Sequence, residues 1–149
     1  LTMNKNYNTI TELPSTLVIE DQVRRAHQRY VFASKFLSGG TAIEVGCGGG
    51  QGLGLLASVC ENVVGIDIDE KNVNICNKNY IDNKKVKIIH KSAADLDFKE
   101  KSLSAVILFE TIYYLENAEN FIQTAYKMLK DNGKRTSNCL KMILEIVKL

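Results

Sequence analysis

The sequence of 149 residues contains a single proline, Pro14, and no two cysteines spaced as C-x-x-C. No histidine cluster lies near any cysteine, so the spacing indicates neither a zinc site nor a redox dithiol. Reduced, independent thiols are expected instead, and no metal site is predicted. The cysteines are Cys47, Cys60, Cys76 and Cys139.

Long apolar runs and an excess of one charge are absent as well. No run approaches the roughly 18 residues of a transmembrane helix, and the polar residues 1–11 lack the apolar core of a signal peptide. The net charge is +2, with lysine and arginine dispersed among the acids rather than gathered in a basic stripe. These absences predict a cytoplasmic protein, with neither a membrane nor a nucleic-acid partner indicated.

The length suits one compact domain that buries roughly 68–70% of its unfolded surface. Residues 1–15 are polar and contain the only proline. We therefore expect a polar leader over residues 1–15 and a single domain over residues 16–149. The sequence does not indicate an oligomeric state.

One stretch, residues 41–54, organises the rest of the chain. Ala42, Ile43 and Val45 form a short apolar run, typical of a parallel strand buried on both faces. Glycines begin directly after it at Gly46, and glycine permits positive φ and the close approach of a ligand. A helix is expected from about Leu53, with its unpaired N–H groups pointing back at the loop. This order predicts a site for an adenine-containing cofactor at the carboxyl edge of a sheet.

The spacing of the glycines bears on which cofactor binds. The dinucleotide fingerprint G-x-G-x-x-G fails, because its last position is Gln51 when counted from Gly46 and Leu53 when counted from Gly48. A nicotinamide cofactor is therefore disfavoured.

A second strand is predicted over residues 62–67, one helix after the first, which completes a βαβ unit. Asp67 ends this strand, and its two carboxylate oxygens suit the two hydroxyls of a ribose. A helix cap or a turn is the alternative role for such an acid. Asp69 or Glu70 is expected to cap the following helix.

Read as Glu44-x-Gly46-x-Gly48-x-Gly50, the loop resembles the first motif of class I S-adenosylmethionine-dependent methyltransferases. Later segments, around residues 92–98 and 104–115, resemble this family in the same order, so the resemblance covers about residues 22–134. It implies S-adenosylmethionine as cofactor, bound by Glu44, Gly46, Cys47, Gly48, Gly50, Asp67, Ile68, Ser92, Ala93 and Phe109.

Two positions in the later segments qualify the resemblance. Ser92 stands where the family usually has an aspartate facing adenine, and Asp95 is a possible substitute. His90, at the end of the third predicted strand, is expected to be structural rather than a base.

The fold implied is α/β: a three-layer, Rossmann-like, doubly wound and mostly parallel sheet, truncated or incomplete at its C-terminal end. The apolar run at residues 140–149 fits a strand by composition and a helix by spacing. A helix is expected over residues 20–37, where Val23, Ala26, Tyr30 and Leu37 recur at helical spacing and so predict one apolar face that packs on the sheet. Another helix is expected through residues 121–129, stopping at residues 131–133, and strands are expected over residues 85–90 and 104–109.

The resemblance implies transfer of a methyl group to an unidentified acceptor, expected to be a small molecule. Positioning supplies most of the catalysis in such a transfer, so no catalytic residue is assigned. If the acceptor has to lose a proton, candidates for the base are Tyr113, Tyr114, Glu110 and His27. Alternatives are a cofactor-binding but inactive or incomplete domain, an aminopropyl transferase of the same fold and, less favoured, a nicotinamide oxidoreductase.

Overall fold

The structure, a computed structural model, describes residues 20–131 and 142–145. Helices and strands alternate along the chain, with short 3₁₀ turns at Ala93–Asp95 and Ile112–Tyr114. In chain order the elements are α1 (Glu20–Ser34), β1 (Thr41–Val45), α2 (Leu53–Val59), β2 (Asn62–Asp67), α3 (Glu70–Asn79), β3 (Val86–His90), β4 (Ala105–Leu108), α4 (Ala118–Met128) and β5 (Met142–Glu145).

The strands form one five-stranded sheet in the order β3-β2-β1-β4-β5. Every neighbouring pair is parallel, and β1 is the central strand. The chain builds the sheet outward from β1 to β3, then returns to the other side of β1 and continues through β4 to β5. The topological switch point therefore lies between β1 and β4, where ligands bind in open α/β sheets. The predicted doubly wound α/β fold is confirmed.

The sheet is covered on both faces, which gives the predicted three layers. On one face, buried residues of α1, α2 and α3 pack against alternate positions of the strands, such as Ala42 and Ile107. On the other face α4 supplies Phe121, Ala125 and Met128. Because β1, β2 and β4 are buried on both sides, their near-continuous apolar sequences are explained.

Several expected boundaries were wrong by a few residues. Helix α1 stops at Ser34 rather than at Leu37, and Val23, expected on its buried face, is 57% exposed. Helix α4 ends at Met128, before the predicted stop at residues 131–133. The last apolar run, which fits a strand or a helix by its sequence, contains the strand β5, which pairs with β4.

Two expectations fall outside the described residues. They are the polar leader over residues 1–15 and most of the segment after Asp131, on which the expectation of an incomplete C-terminal end depends. Among the described residues, no helix is both long enough and apolar enough to cross a membrane.

Helix α1 is attached to the sheet through Tyr30. The Tyr30 hydroxyl donates a hydrogen bond of 2.7 Å to Oε1 of Glu44 in β1. Its ring meets that of Phe109 edge-on, with ring centroids 4.8 Å apart, and lies directly against Gly52 at the start of α2. One aromatic side chain thus joins α1, β1, α2 and the end of β4.

Glu44 is a carboxyl group inside the core. It is 1% exposed, and in the described part of the chain its Oε2 has no hydrogen-bond partner. Burial raises the pKa of Glu44 from 4.5 to about 8, because water no longer stabilises the carboxylate; the hydrogen bond from Tyr30 lowers it and the charge of Asp67 raises it further. Glu44 therefore holds its proton at neutral pH.

A side chain at Gly52 is expected to destabilise the protein. A Cβ there would overlap the ring of Tyr30, although the backbone of Gly52 (φ −104°, ψ −10°) suits alanine. Gly52→Ala should lower the free energy of unfolding by roughly 1–3 kcal/mol, the usual cost of overpacking. Gly54→Ala is the matched control in the same helix, since its Cβ would lie 3.5 Å from the Tyr80 hydroxyl, an ordinary contact. The midpoint of urea denaturation should be lower for Gly52→Ala than for the parent and should not fall for Gly54→Ala. Equal midpoints of the two variants would contradict the packing described.

The raised pKa of Glu44 predicts how stability changes with pH. Between pH 4.5 and about 8 the folded protein keeps a proton that the unfolded chain releases. The stabilisation of the folded state by this retained proton is thus present in full below pH 4.5. It is lost as pH rises towards 8, by up to about 1.4 kcal/mol per pH unit. Glu44→Gln lacks this titration, so its unfolding free energy should improve relative to the parent as pH rises through the window. Parallel curves from pH 5 to 8 would refute the assignment.

Candidate functional site

The loop between β1 and α2 lies at the carboxyl edge of the sheet, beside the switch point. Gly46, Gly48 and Gly50 have φ values of +74°, +56° and +79°, a region that side-chain-bearing residues rarely adopt. The amide nitrogens of Gly46 and Cys47 donate to the Ile66 carbonyl oxygen at 2.8 and 3.1 Å. The loop is therefore anchored to the end of β2, and its backbone conformation explains the spacing of the glycines.

Asp67, at the end of β2, connects this loop to the next helix. Its Oδ2 accepts a 2.8 Å hydrogen bond from the Gly48 amide. Its Oδ1 accepts from the Asp69 amide at 2.8 Å and from Asn72 Nδ2 at 3.2 Å. Asp67 is only 7% exposed, so these contacts offset the cost of burying its charge. A carboxylate has about four acceptor positions, which leaves room for one further donor.

The underside of the glycine loop is filled by side chains rather than open to ligands. Cys47 is 3% exposed, and the thiol of Cys76 donates to the Gly48 carbonyl oxygen at 3.1 Å. Tyr80 donates to the carbonyl oxygen of Gly50 and accepts from the amide of Gly54. The hydrogen bond with Cys76, together with burial, raises the pKa of the Cys47 thiol, so it stays neutral. Only the backbone of Cys47 is available to a cofactor.

Ile68 and the residues after β3 form the side of the site next to Asp67. Ile68 is an apolar side chain at this edge of the sheet and is 49% exposed. Ser92 caps the 3₁₀ turn that contains Ala93, with its hydroxyl accepting from the Ala94 amide at 3.2 Å. His90 contacts the Ile68 carbonyl oxygen at 2.9 Å through Nε2, a contact that fits the expected structural histidine.

Phe109, Glu110 and Thr111 follow β4 on the other side of the switch point. Phe109 is buried beneath Tyr30, whereas the side chain of Glu110 is 27% exposed. Arg29 Nη2 of α1 lies 2.8 Å from Glu110 Oε1. The N–H bonds do not point at this oxygen, which is buried and lacks a hydrogen bond within the described residues, so the contact is an ion pair only. Thr111 packs against Gly46, which brings this turn next to the glycine loop.

The structure thus brings the sequence-predicted residues to one edge: the glycine loop in the middle, Asp67, Ile68, Ser92 and Ala93 on one side, and Phe109 on the other. Glu44 lies beneath the loop. The cap expected at Asp69 or Glu70 is formed by Asp69, which accepts from the Lys71 amide at 2.9 Å.

Sequence reasoning missed Asn72 and the pairing of Arg29. Asn72 is 2% exposed and supports Asp67, but a lone asparagine in a helix carries no signal of such a contact. Among the candidate bases, Tyr113 is 57% exposed, and Tyr114 is half-buried in the same 3₁₀ turn. Within the described residues, no three His, Cys, Asp or Glu side chains are arranged to hold a metal ion.

Comparison with known proteins agrees with this geometry. A probable S-adenosylmethionine-dependent methyltransferase of Mycolicibacterium smegmatis is 31% identical over 96 residues, which are 64% of this chain and 36% of that protein. The ubiquinone biosynthesis O-methyltransferase of Pelagibacter ubique is 34% identical over 92 residues, 61% of this chain and 38% of that protein. The chain therefore spans little more than a third of the length of these curated relatives.

Among solved structures, phosphoethanolamine N-methyltransferase 1 of Haemonchus contortus, in complex with phosphoethanolamine and S-adenosylhomocysteine, superimposes with a TM-score of 0.66. It is 18% identical, with 74% of this chain and 24% of that chain covered, so it supports the fold alone. Residues 43–135, which include the end of β1, the glycine loop, Asp67 and the turn after β4, match the family described as a methyltransferase domain. The chain belongs to this methyltransferase domain family.

Proposed function

We propose that this chain binds S-adenosylmethionine at the carboxyl edge of its sheet and takes part in methyl transfer to a small-molecule acceptor. The hydrogen bond between the Gly48 amide and Asp67 is the observation that carries the proposal. It fixes a glycine loop of positive φ beside a buried acid, on adjacent strands and next to the switch point. A nucleoside linked to a short polar chain fits such an edge.

Each part of the edge has a role in this proposal. Asp67 accepts from the ribose, with one acceptor position left beyond its protein donors. Ile68 covers one face of the adenine ring, and Ser92 and Ala93 lie along the ring's edge. Gly46 and Gly48 allow the cofactor close to the backbone. Phe109 supplies an apolar wall towards the methionine end.

When bound, S-adenosylmethionine supplies a methyl group on a sulfonium sulfur, whose bond to the methyl breaks as the bond to the acceptor forms. The contribution of the chain is to hold donor and acceptor in line and to keep water out. Well-oriented encounters of this kind are worth roughly 7–11 kcal/mol. No side chain of the edge is assigned as a base.

The small-molecule acceptor is supported by the relatives. One is named for O-methylation in ubiquinone biosynthesis, and the solved enzyme of the same fold holds phosphoethanolamine. The absence of a basic stripe also favours a small acceptor over a nucleic acid.

Calorimetric titration with S-adenosylmethionine and, separately, with NADH tests the proposal directly. The parent chain should bind the first and not the second. Asp67→Asn keeps the shape of the side chain but removes its charge, and the affinity for S-adenosylmethionine should fall by about 1.5–3 kcal/mol, the value of a charged hydrogen bond. Asp82→Asn is the matched control, an exposed acid in the turn that precedes β3 at the opposite edge.

Equal affinity of Asp67→Asn and Asp82→Asn for S-adenosylmethionine would remove Asp67 from the site. Binding of NADH in preference to S-adenosylmethionine would overturn the proposed function as a whole.

A further inference from the structure

Glu110 occupies an unusual backbone position at the mouth of the switch point. Its φ is +53°, in the left-handed region. This conformation is unfavourable for any residue that has a Cβ, and residues held in it are typically found at functional turns. The conformation places the carboxylate between α1 and the end of β4, with 27% of the side chain exposed. An acid held in strained geometry at a ligand crevice points to a role that a turn alone does not require.

The crevice between the ends of β1 and β4 is bridged by two neighbouring residues of α1. Tyr30 reaches Glu44 of β1 and Phe109 after β4, while Arg29 reaches Glu110. Tyr30 and the protonated Glu44 add no charge. Of the residues in these contacts, Glu110 and its counter-charge Arg29 are the ones that carry charge.

The orientation of a bound nucleoside follows from the order of the strands. Asp67 lies on the β2 side of the glycine loop, and Glu110 follows β4 on the other side, next to Thr111 and Gly46. A cofactor whose ribose is held at Asp67 therefore extends its sulfur end across the loop towards Glu110.

We propose that Glu110 is the charge by which this site distinguishes the methyl donor from its demethylated product. The inference rests on the proposed function. S-adenosylmethionine carries a positive sulfonium, and S-adenosylhomocysteine a neutral thioether in the same place. An anion at the mouth attracts the first and is indifferent to the second. Oε1 of Glu110 is buried 2.8 Å from Arg29 Nη2, so this counter-charge offsets part of the field of the anion and the remainder acts on the cofactor.

Arg29 is expected to have the opposite effect. Its guanidinium opposes a cation at the same position and partly offsets the field of Glu110. Removal of the two charges should therefore change the preference between the two ligands in opposite directions. If the pair had a purely structural role, both variants would bind the two ligands more weakly by the same factor. The ratio of the two affinities therefore isolates the effect of charge.

The test is calorimetric titration of the full chain and its variants with S-adenosylmethionine and S-adenosylhomocysteine. Glu110→Gln should lower the preference for S-adenosylmethionine by about three- to tenfold, the size expected for one partly exposed charge. Glu110→Asp keeps the charge and should retain most of the preference. Arg29→Gln should raise the preference. Glu116→Gln is the control and should leave the ratio unchanged, because Glu116 is an exposed acid beyond the 3₁₀ turn Ile112–Tyr114 that follows Glu110.

A ratio that is unchanged in Glu110→Gln, or that moves in the same direction in Glu110→Gln and Arg29→Gln, would overturn the inference while leaving the proposed cofactor in place. If the parent chain binds neither ligand, the proposed function fails, and this inference fails with it. Should Glu110→Gln not fold, Arg29→Gln still gives the sign of the effect, and a preference that does not rise in this variant would overturn the inference.

Discussion

The carboxylate of Asp67 is the point on which the arrangement of the carboxyl edge depends. It accepts hydrogen bonds from the glycine loop, from the turn that starts α3, and from Asn72 within that helix. Since the loop follows β1 and the acid ends β2, these contacts hold two adjacent strands and the helix between β2 and β3 in one geometry. The edge is therefore organised before any ligand arrives, which limits the ordering that binding has to impose.

The two glutamates near this edge differ in protonation and in pairing. Glu44 is buried beneath the loop with a raised pKa, keeps its proton at neutral pH, and bonds to Tyr30. Glu110 is ion-paired with Arg29 and remains partly exposed at the crevice. Both arrangements involve neighbouring residues of α1, so the position of this helix bears on the electrostatics of the site as well as on its shape. A shift of α1 would alter the hydrogen bond of Glu44 and the counter-charge of Glu110 together.

Much of the fold could be predicted because its signals are local. The apolar runs at β1 and β2, the glycines between β1 and α2, and the acid at the end of β2 follow one another within 27 residues, from Thr41 to Asp67. Sequence patterns placed β2 at its observed bounds and named Asp69 as one of two caps for α3. The resemblance to class I methyltransferases, carried by the glycine loop and two later segments, was confirmed at the level of the family.

The contacts that were missed join residues far apart in the sequence. Arg29 and Glu110 are separated by 81 positions, and nothing in either local pattern indicates that they meet. The exposure of Val23 was missed because helical spacing shows which residues share a face, not where a helix lies on its neighbour. The nature of β5 was undecidable because a short apolar run fits a strand or a helix until its pairing partner is known.

We place the cofactor on the glycine loop at the carboxyl end of β1. Amide chemical shifts, followed by NMR as S-adenosylhomocysteine is added to the isotopically labelled chain, test it most directly. Glycines at both ends of β1 provide an internal comparison, since Gly39 and Gly40 also have positive φ and lie at the amino end. We expect large shifts at Gly46, Gly48 and Gly50 and little change at Gly39 and Gly40. Saturable binding that leaves the Gly46–Gly50 amides unmoved would contradict it.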